Sequence, residues 1–311
     1  MLLPRPNLNL ILAPMEGVTD APMRELLTRS GEFNFCVAEF LRISQATLPD
    51  RVFLKHVPEL ARGGRTASGC PVIVQLLGGN AELLAQSAAQ AVRLGALGVD
   101  LNFGCPAPTV NRHDGGATLL KYPARIEAIV SAVRKSVRAD VSVSAKLRLG
   151  WDSKESVFEN SLRAQNGGAT WITIHARTKV QGYAPPADWE IVGKVARTLQ
   201  IPVIVNGDLW SIQDIQMAMD TTGSNSFMLG RGALADPTLV HALRVKIETA
   251  PSWPDLVSSF INISSAYGYG SNYLVRRIKQ WLRMASLTGK FLNWELLKTQ
   301  QSLEQVIAVL K

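Results

Sequence analysis

One cysteine stands out because of the loop on which it lies. Cys105 sits between Gly104 and Pro106, directly after a short apolar run and not on an apolar face. A thiol held in this way can act as a nucleophile or as a general acid. Cys36 and Cys70 lie in or next to apolar runs, where core packing explains them. The order of residues shows no Ser-His-Asp or Cys-His-Asn arrangement, which argues against a hydrolase.

Lys146 and His175 lie near the ends of two neighbouring apolar runs. A buried lysine needs a partner or a chemical purpose. Lys146 could pair with an acid such as Glu16, form a Schiff base as in aldolases, or neutralise a reduced flavin at its N1–C2 carbonyl edge. Gln75 carries a donor and an acceptor, which suits the imide edge of such a ring. His175 could be a hydrogen-bonded core residue, but its place beside Lys146 favours a cofactor contact.

Two glycine-containing loops could bind a phosphate. One is Asn206-Gly207-Asp208 and the other is Gly230-Arg231-Gly232. Glycine allows backbone N–H groups to approach an anion, and the arginine adds a positive charge. The alternative is that the glycines only make tight turns.

The apolar runs predict a scaffold that brings these distant segments together. Eight runs, most of them four to seven residues long, are typical of parallel strands covered on both faces. They are residues 9–13, 34–40, 71–77, 98–102, 141–147, 170–175, 201–206 and 226–229, and helical patterns such as 81–94 and 125–137 lie between them. This alternation predicts an α/β fold, a (β/α)8 TIM barrel. The alternative is an open doubly wound sheet, but no G-x-G-x-x-G follows the first run.

The candidate residues follow the strands at the ends where barrel enzymes carry their chemistry. Seven of the eight predicted strands deliver polar or special residues to that face. In chain order these are Pro14, Met15 and Glu16; Gln75; Asn102 with Cys105; Lys146 and Arg148; His175 and Arg177; Asn206, Gly207 and Asp208; and Gly230 with Arg231. Core packing does not explain the whole set, so it predicts one site at the barrel mouth.

The chain changes character after about residue 250. Residues 252–255 read as a helix start, and residues 272–286 and 302–310 are amphipathic, with no further strand pattern. We therefore predict a catalytic barrel over residues 1–245 and a small all-helical domain over residues 246–311.

Composition and charge restrict the classes of protein to which this chain can belong. Hydrophobic residues make up 47%, which excludes a disordered chain. The net charge is +8, and half of it falls in residues 251–311, either on a solvated helix face or on a phosphate-binding surface. No apolar run approaches the roughly 18 residues of a membrane span. The three cysteines suit neither disulfides nor a metal site, so a reducing cytoplasm is expected.

Several of these segments resemble the tRNA-dihydrouridine synthases. The similar segments are 13–20 (APMEGVTD), 101–106 (LNFGCP) with 110–112 and 115–117, 175–178 (HART) with Gln181, Tyr183 and 188–189, and the two glycine loops. The LNFGCP and HART segments are the specific ones, whereas many flavin barrels share the loops. Residues 277–282 (RIKQWL) resemble the C subgroup, whose target is the uridine at position 16 of tRNA.

The resemblance implies a reaction and a role for each residue. FMN would bind across the barrel mouth, NADPH would reduce it, and hydride would pass from flavin N5 to uracil C6. Cys105 matches the family's proton donor to C5, an acid that the chemistry requires. Lys146, His175 and Arg231 would neutralise the flavin and its phosphate. The ring and ribityl chain would be held by Pro14, Met15, Glu16, Gln75, Asn206, Gly207, Asp208 and Gly230.

The same resemblance implies contacts with the substrate. Asn102 and Arg148 would lie where a uracil flipped out of its stack is bound. The expected tRNA contacts are Arg177, Tyr183, Arg276, Arg277, Lys279 and Arg283. The family also implies a monomer. Small departures from its pattern are Phe103, Ala176 where Gly is frequent, and Asp208 where Glu is common.

Two other classes of protein remain open. One is a different FMN barrel oxidoreductase that acts on a free pyrimidine, and the basic C-terminal segment argues against it. The other is an RNA-binding relative without activity, and the intact Cys105, Lys146 and His175 argue against that.

Overall fold

The computed structural model describes residues 8–244 and 251–310. The expected boundary between residues 245 and 246 lies outside the described residues.

Parallel strands close into a barrel. They are β1 Asn9–Leu12, β2 Phe35–Val37, β3 Leu41–Arg42, β4 Val72–Leu77, β5 Gly98–Asn102, β6 Ser142–Arg148, β7 Trp171–His175, β8 Val203–Asn206 and β9 Ser226–Leu229. Their hydrogen-bonded order is β2-β1-β9-β8-β7-β6-β5-β4-β3, and β2 also pairs with β4. The sheet is therefore closed, and the predicted TIM barrel is confirmed.

The second predicted strand is broken in two, which the sequence did not indicate. Cys36 of β2 pairs with Val72 of β4, and Leu41 of β3 pairs with Leu76 farther along the same strand. The two pieces thus share one barrel position. Between them Glu39 turns its carboxylate toward the barrel mouth and accepts a hydrogen bond from the Val18 N–H at 3.0 Å. Burial, and next the charges of nearby acids, raise the pKa of Glu39 to about 7.

Helices and turns connect the strands and cover the barrel. They are α1 Ala21–Leu27, α2 Asp50–His56, α3 Ala81–Arg93, α4 Pro108–Asn111, α5 Pro123–Ser136, α6 Ser156–Asn166, α7 Trp189–Ala196, α8 Ile212–Thr222, α9 Arg231–Ala235 and α10 Leu239–Ala242, with 3-10 turns at Pro58–Arg62 and Gly116–Lys121. Side-chain caps start several of them, as Asn80 does for α3 and Ser211 for α8.

The core has two layers. Side chains that include Ile11, Phe35, Ile73, Trp171 and Met228 fill the inside of the barrel. A larger apolar layer lies between the strands and the surrounding helices. The interior is therefore packed and not a channel.

The C-terminal residues form helices that dock on the barrel. These are α11 Trp253–Ala266, α12 Ser271–Leu287, α13 Trp294–Leu297 and α14 Leu303–Leu310. A capping box formed by Ser252 and Asp255 starts α11 at the predicted position. α12 packs against α9, where the Trp281 indole N–H donates to the Leu234 carbonyl at 2.9 Å. Over the described ranges, no helix is long and apolar enough to cross a membrane.

Candidate active site

A cavity of about 460 Å³ opens at the carboxyl ends of the strands. Its volume falls in the range of small-ligand sites. Every residue expected to bind the cofactor lines it: Pro14, Met15, Glu16, Gln75, Lys146, His175, Asn206, Gly207, Asp208, Gly230 and Arg231. Asn102, Cys105, Arg148 and Tyr183 line it as well. The barrel thus gathers side chains that are up to about 220 residues apart in sequence.

The cavity carries more positive than negative charge. Its cations are Lys146, Arg148 and Arg231, and its acids are Glu16 and Asp208. Lys146 donates to the Asn206 side-chain oxygen at 2.9 Å and not to Glu16. Burial, and next the charge of Arg148, lower the pKa of Lys146 to about 8. A bound anion would relieve this repulsion, so the site fits an anionic ligand.

His175 is held in one tautomer. The Arg177 guanidinium lies 3.3 Å from its Nε2 atom, and a guanidinium can only donate. Nε2 is therefore the acceptor, and the proton of the neutral ring resides on Nδ1. Burial, followed by the charges of Arg148 and Lys146, lowers the pKa of His175 well below its usual value. The imidazole is thus a neutral hydrogen-bond donor at the cavity wall.

Arg177 does not contact the solvent, so its assignment to tRNA contacts was wrong. Its side chain is fully buried, donates to the Ala184 carbonyl at 2.7 Å and pairs with the Asp208 carboxylate. These bonds orient His175 and Asp208 from behind the cavity wall. A motif shows that an arginine is present at this position but not which way its side chain points.

Cys105 lies half-buried at the cavity edge as a protonated thiol. Burial raises its pKa, so the thiolate that a nucleophile needs is disfavoured at neutral pH. The backbone around it is held closely: the Ala117 N–H and the Asn111 side-chain amide both donate to the Cys105 carbonyl, at 3.1 and 3.3 Å. Of the two roles left open by the sequence, these features favour the general acid.

Tyr183 forms an exposed aromatic surface at the mouth. Its ring lies 5.3 Å from the Arg148 guanidinium carbon and 5.2 Å from that of Arg231. Arg148 is itself fixed by bonds to the Gly104 and Gly182 carbonyls, both at 2.8 Å. The ring of Tyr183 therefore lies against two guanidinium groups at the mouth.

The four basic residues of α12 divide into different environments. Arg276 and Arg283 are exposed, and Lys279 is partly covered and donates to the Gln300 carbonyl at 2.7 Å. Arg277 is only 3% exposed and binds Asp20, with 3.1 Å between Nε and Oδ2. The expectation that Arg277 contacts tRNA was therefore wrong, because its charge joins α12 to the barrel.

Several residues of the cavity wall were missed in the sequence, among them one aromatic residue of the barrel and two residues of α12. Trp210 follows β8 and lies 4.8 Å from the Arg231 guanidinium carbon. Gln280 and Met284 come from α12, so the C-terminal helices complete the cavity wall. They flank the predicted apolar face of that helix, but no motif marked them. In the described part of the chain, no group of three or more acidic, His or Cys side chains could hold a metal.

Comparison with known proteins points to one family. Residues 11–294 match the family model described as dihydrouridine synthase. A protein of Shewanella oneidensis named tRNA-dihydrouridine(16) synthase is 46% identical, with 88% of this chain and 87% of the relative covered. Proteins of the same name from Escherichia coli and Haemophilus influenzae are 45% and 43% identical; the matches cover 88% of both chains for the first, and 96% of this chain and 98% of the relative for the second.

Solved structures share the fold at low identity. A histamine dehydrogenase from Rhizobium sp. 4-9 matches with a TM-score of 0.58 and 14% identity, covering 82% of this chain and 49% of that one. An old yellow enzyme homologue from Zymomonas mobilis matches with a TM-score of 0.55 and 13% identity, covering 81% and 92%. At this identity the two structures support the barrel fold alone.

Proposed function

Because this chain belongs to the dihydrouridine synthase family, we propose that it reduces the uridine at position 16 in the D-loop of tRNA to 5,6-dihydrouridine. It is an oxidoreductase of that family. The relatives named for position 16, at 43–46% identity, support the choice of uridine. The observation that carries the reaction is a protonated thiol, Cys105, at the edge of a positively charged cavity.

The residues of the cavity fit FMN. Arg231 and the two glycine loops at the ends of β8 and β9 would hold its phosphate, and Lys146 with the Nδ1–H of His175 would face the polar edge of the ring. Gln75 would bind the ring edge, with Pro14 to Glu16 packing beside it. When bound, FMN reduced by NADPH would supply the hydride for uracil C6.

The chain's own residues would position the uracil and supply the proton. The Cys105 thiol would donate its proton to C5, which becomes basic only as C6 is reduced. Asn102 and Arg148 line the same side of the cavity as Cys105, and they would bind the polar edge of the flipped base. Tyr183 at the rim would stack against the base or a neighbouring nucleotide.

The exposed cations of α12 would contact the tRNA backbone. Arg276 and Arg283 lie on the face that is not packed on the barrel, and their charges would bind phosphates. Because α12 also lines the cavity, a tRNA held on this helix would place one uridine at the mouth. We expect a monomer in the cytoplasm.

The test is the dihydrouridine content of tRNA. In a strain that lacks the gene, mass spectrometry of individual tRNAs should show uridine in place of dihydrouridine at position 16 only. The purified protein should be yellow, and with NADPH it should restore the modification. Loss at another position would correct the site, and no loss at any position would refute the proposal. Turnover of free uridine or UMP without tRNA would favour the free-pyrimidine alternative.

A further inference from the structure

Asp100 is a buried carboxylate for which the proposed reaction has no role. It lies in the middle of β5 and is 1% exposed. Its Oδ1 accepts from the Ser144 hydroxyl at 2.6 Å, and its Oδ2 accepts from the Gln75 amide at 2.7 Å. Burying a charged group in a barrel interior costs free energy, and hydrogen bonds that compensate this cost point to a role for the group.

A chain of hydrogen bonds leads from this carboxylate to the cysteine loop. The Gln75 Oε1 atom accepts from the Asn102 amide at 2.9 Å. Asn102 Oδ1 in turn accepts the backbone N–H groups of Gly104 and Cys105, both at 3.0 Å. Two side-chain amides therefore connect Asp100 to the backbone of Cys105.

The direction of every bond in this chain is fixed from both ends. Backbone N–H groups can only donate, so the Asn102 oxygen must face the loop and its NH₂ group must face Gln75. The Gln75 oxygen then faces Asn102, and its NH₂ group faces position 100. Only an acceptor at that position is compatible with this order. A carboxylate satisfies the requirement in either orientation, whereas a donor would reverse both amides.

We propose that Asp100 is a positioning residue that holds the Cys105 loop in place through Gln75 and Asn102. The role of Cys105 as proton donor rests on the proposed function, but the contact chain does not. Asp100 itself lies behind Gln75 and is not among the residues that line the cavity. Its effect is to fix where the thiol stands relative to the bound base.

The experiment compares three variants without tRNA or NADPH. Asp100→Leu keeps the number and branching of the side-chain heavy atoms but removes the acceptor, whereas Asp100→Asn can still present an oxygen to Gln75. Ser144→Ala is the matched control, because it removes the other bond to Asp100 and leaves the chain to Cys105 intact. The readouts are hydrogen exchange of the Gly104 and Cys105 amides and the rate of Cys105 alkylation by iodoacetamide, with the buried Cys36 and Cys70 as internal references.

We expect Asp100→Leu to accelerate exchange of both amides about 10-fold or more, because their acceptor is no longer oriented. The rate of alkylation should change with it. Asp100→Asn and Ser144→Ala should stay within about 2-fold of the wild type. In turnover, kcat of Asp100→Leu should fall about 10-fold or more while KM for tRNA is kept, since misplacement of the acid affects the chemical step.

Unchanged exchange and alkylation in a folded Asp100→Leu protein would overturn the assignment. If that variant does not fold, Gln75→Leu cuts the same chain and should give the same accelerated exchange; its failure to do so would also overturn it. Because both readouts are independent of turnover, loss of the proposed tRNA activity and loss of the positioning role would be told apart.

Discussion

At the scale of single residues, burial and neighbouring charges shift the pKa values of the side chains that line the cavity. Burial raises the pKa of the Cys105 thiol and lowers that of the Lys146 amine, so each is moved toward its neutral form. For a proton donor the neutral form is the active one. For a lysine that neutralises an anion it is the inactive one, so the two residues should respond differently to pH.

Replacing Cys105 with Ala should separate the two halves of the reaction. NADPH should still bleach the flavin at a rate close to that of the wild type, whereas reoxidation by tRNA should slow by about 10²- to 10⁴-fold, the usual contribution of a positioned acid. Stopped-flow absorbance of the flavin measures both rates. Full tRNA turnover by this variant would remove Cys105 from its role.

FMN affinity should fall as the pH rises through about 8, the pKa of Lys146. The protonated amine stabilises the anionic cofactor, and the bound anion in turn raises the pKa of Lys146. This contribution is therefore fully present below about pH 8 and is lost as the pH rises through the higher pKa of the complex. A hydrogen bond to a charged group contributes about 1.5–3 kcal/mol, so the dissociation constant should rise about 10-fold or more. Fluorescence titration of apoprotein from pH 6.5 to 9.5 would measure it.

Two substitutions provide the controls for this pH dependence. Lys146→Met should bind FMN weakly at all pH values, and Lys146→Arg should bind without the step near pH 8. An unchanged step in the Met variant would mean that another group controls binding.

At the scale of elements, the cysteine loop depends on one glycine behind it. Gly116 has a φ of +60°, and a Cβ there would lie 2.8 Å from Val110 Cγ1 and 2.9 Å from the Cys105 carbonyl oxygen. The positive φ and the close approach both require glycine. The loop between β5 and α5 therefore folds back tightly on the residue that carries the thiol.

Gly116→Ala should displace this loop, and Gly223→Ala is its matched control. Gly223 has a similar φ of +70°, but no atom lies within 4 Å of the added Cβ. Both variants should lose about 1–2 kcal/mol of stability from the left-handed backbone, seen in thermal unfolding. Only Gly116→Ala should also lose turnover, by about 10- to 100-fold through misplacement of the thiol. Equal turnover in the two would mean that the loop tolerates the displacement.

The elements that the sequence predicted correctly are those with strong local patterns. The eight apolar runs, and the helical spacing of apolar residues in α12, follow directly from which side chains are buried. The residues after the strands could be placed at one mouth because the topology of a barrel brings the carboxyl ends of its strands together. The break between β2 and β3 was missed because Ala38 and Phe40 are apolar, and a single acidic residue between them, Glu39, does not interrupt a strand pattern. The burial of Arg177 and Arg277 was missed because their acidic partners, Asp208 and Asp20, are distant in sequence. For Asp100 the sequence did contain a signal of an unusual role, because an acidic residue stands inside an apolar run.

At the scale of the whole molecule, the barrel and the C-terminal helices are joined by polar as well as apolar contacts. Arg277 binds Asp20 and the Val18 carbonyl, and the Tyr273 hydroxyl donates to the same carboxylate at 2.5 Å. The hydroxyl of Tyr267, the residue directly after α11, donates to Glu25 of α1 at 2.9 Å. These bonds fix the angle at which the exposed cations of α12 face the solvent.

Substitutions of the two neighbouring arginines on α12 should therefore affect different properties, stability in one case and tRNA binding in the other. Arg277→Met should destabilise the protein by about 2–3 kcal/mol, because it leaves a partly buried carboxylate without its partner. Arg276→Glu should leave the melting temperature unchanged but weaken tRNA binding, and it should reduce the slope of log Kd against log salt by about 1. Calorimetry and binding titrations at several salt concentrations measure these effects. An unchanged salt slope for Arg276→Glu would exclude it from the tRNA surface.

Because α12 supplies two cavity residues, the barrel and the C-terminal helices of such a protein cannot be exchanged independently between relatives. Gln280 and Met284 form part of the wall that surrounds the cofactor space, while Trp281 between them is bonded to the backbone of α9. A barrel that received the C-terminal helices of a distant relative would change its flavin pocket together with its choice of uridine. New specificity along this lineage should thus arise through substitutions on the exposed face of α12, with its inner face and α9 inherited as one block.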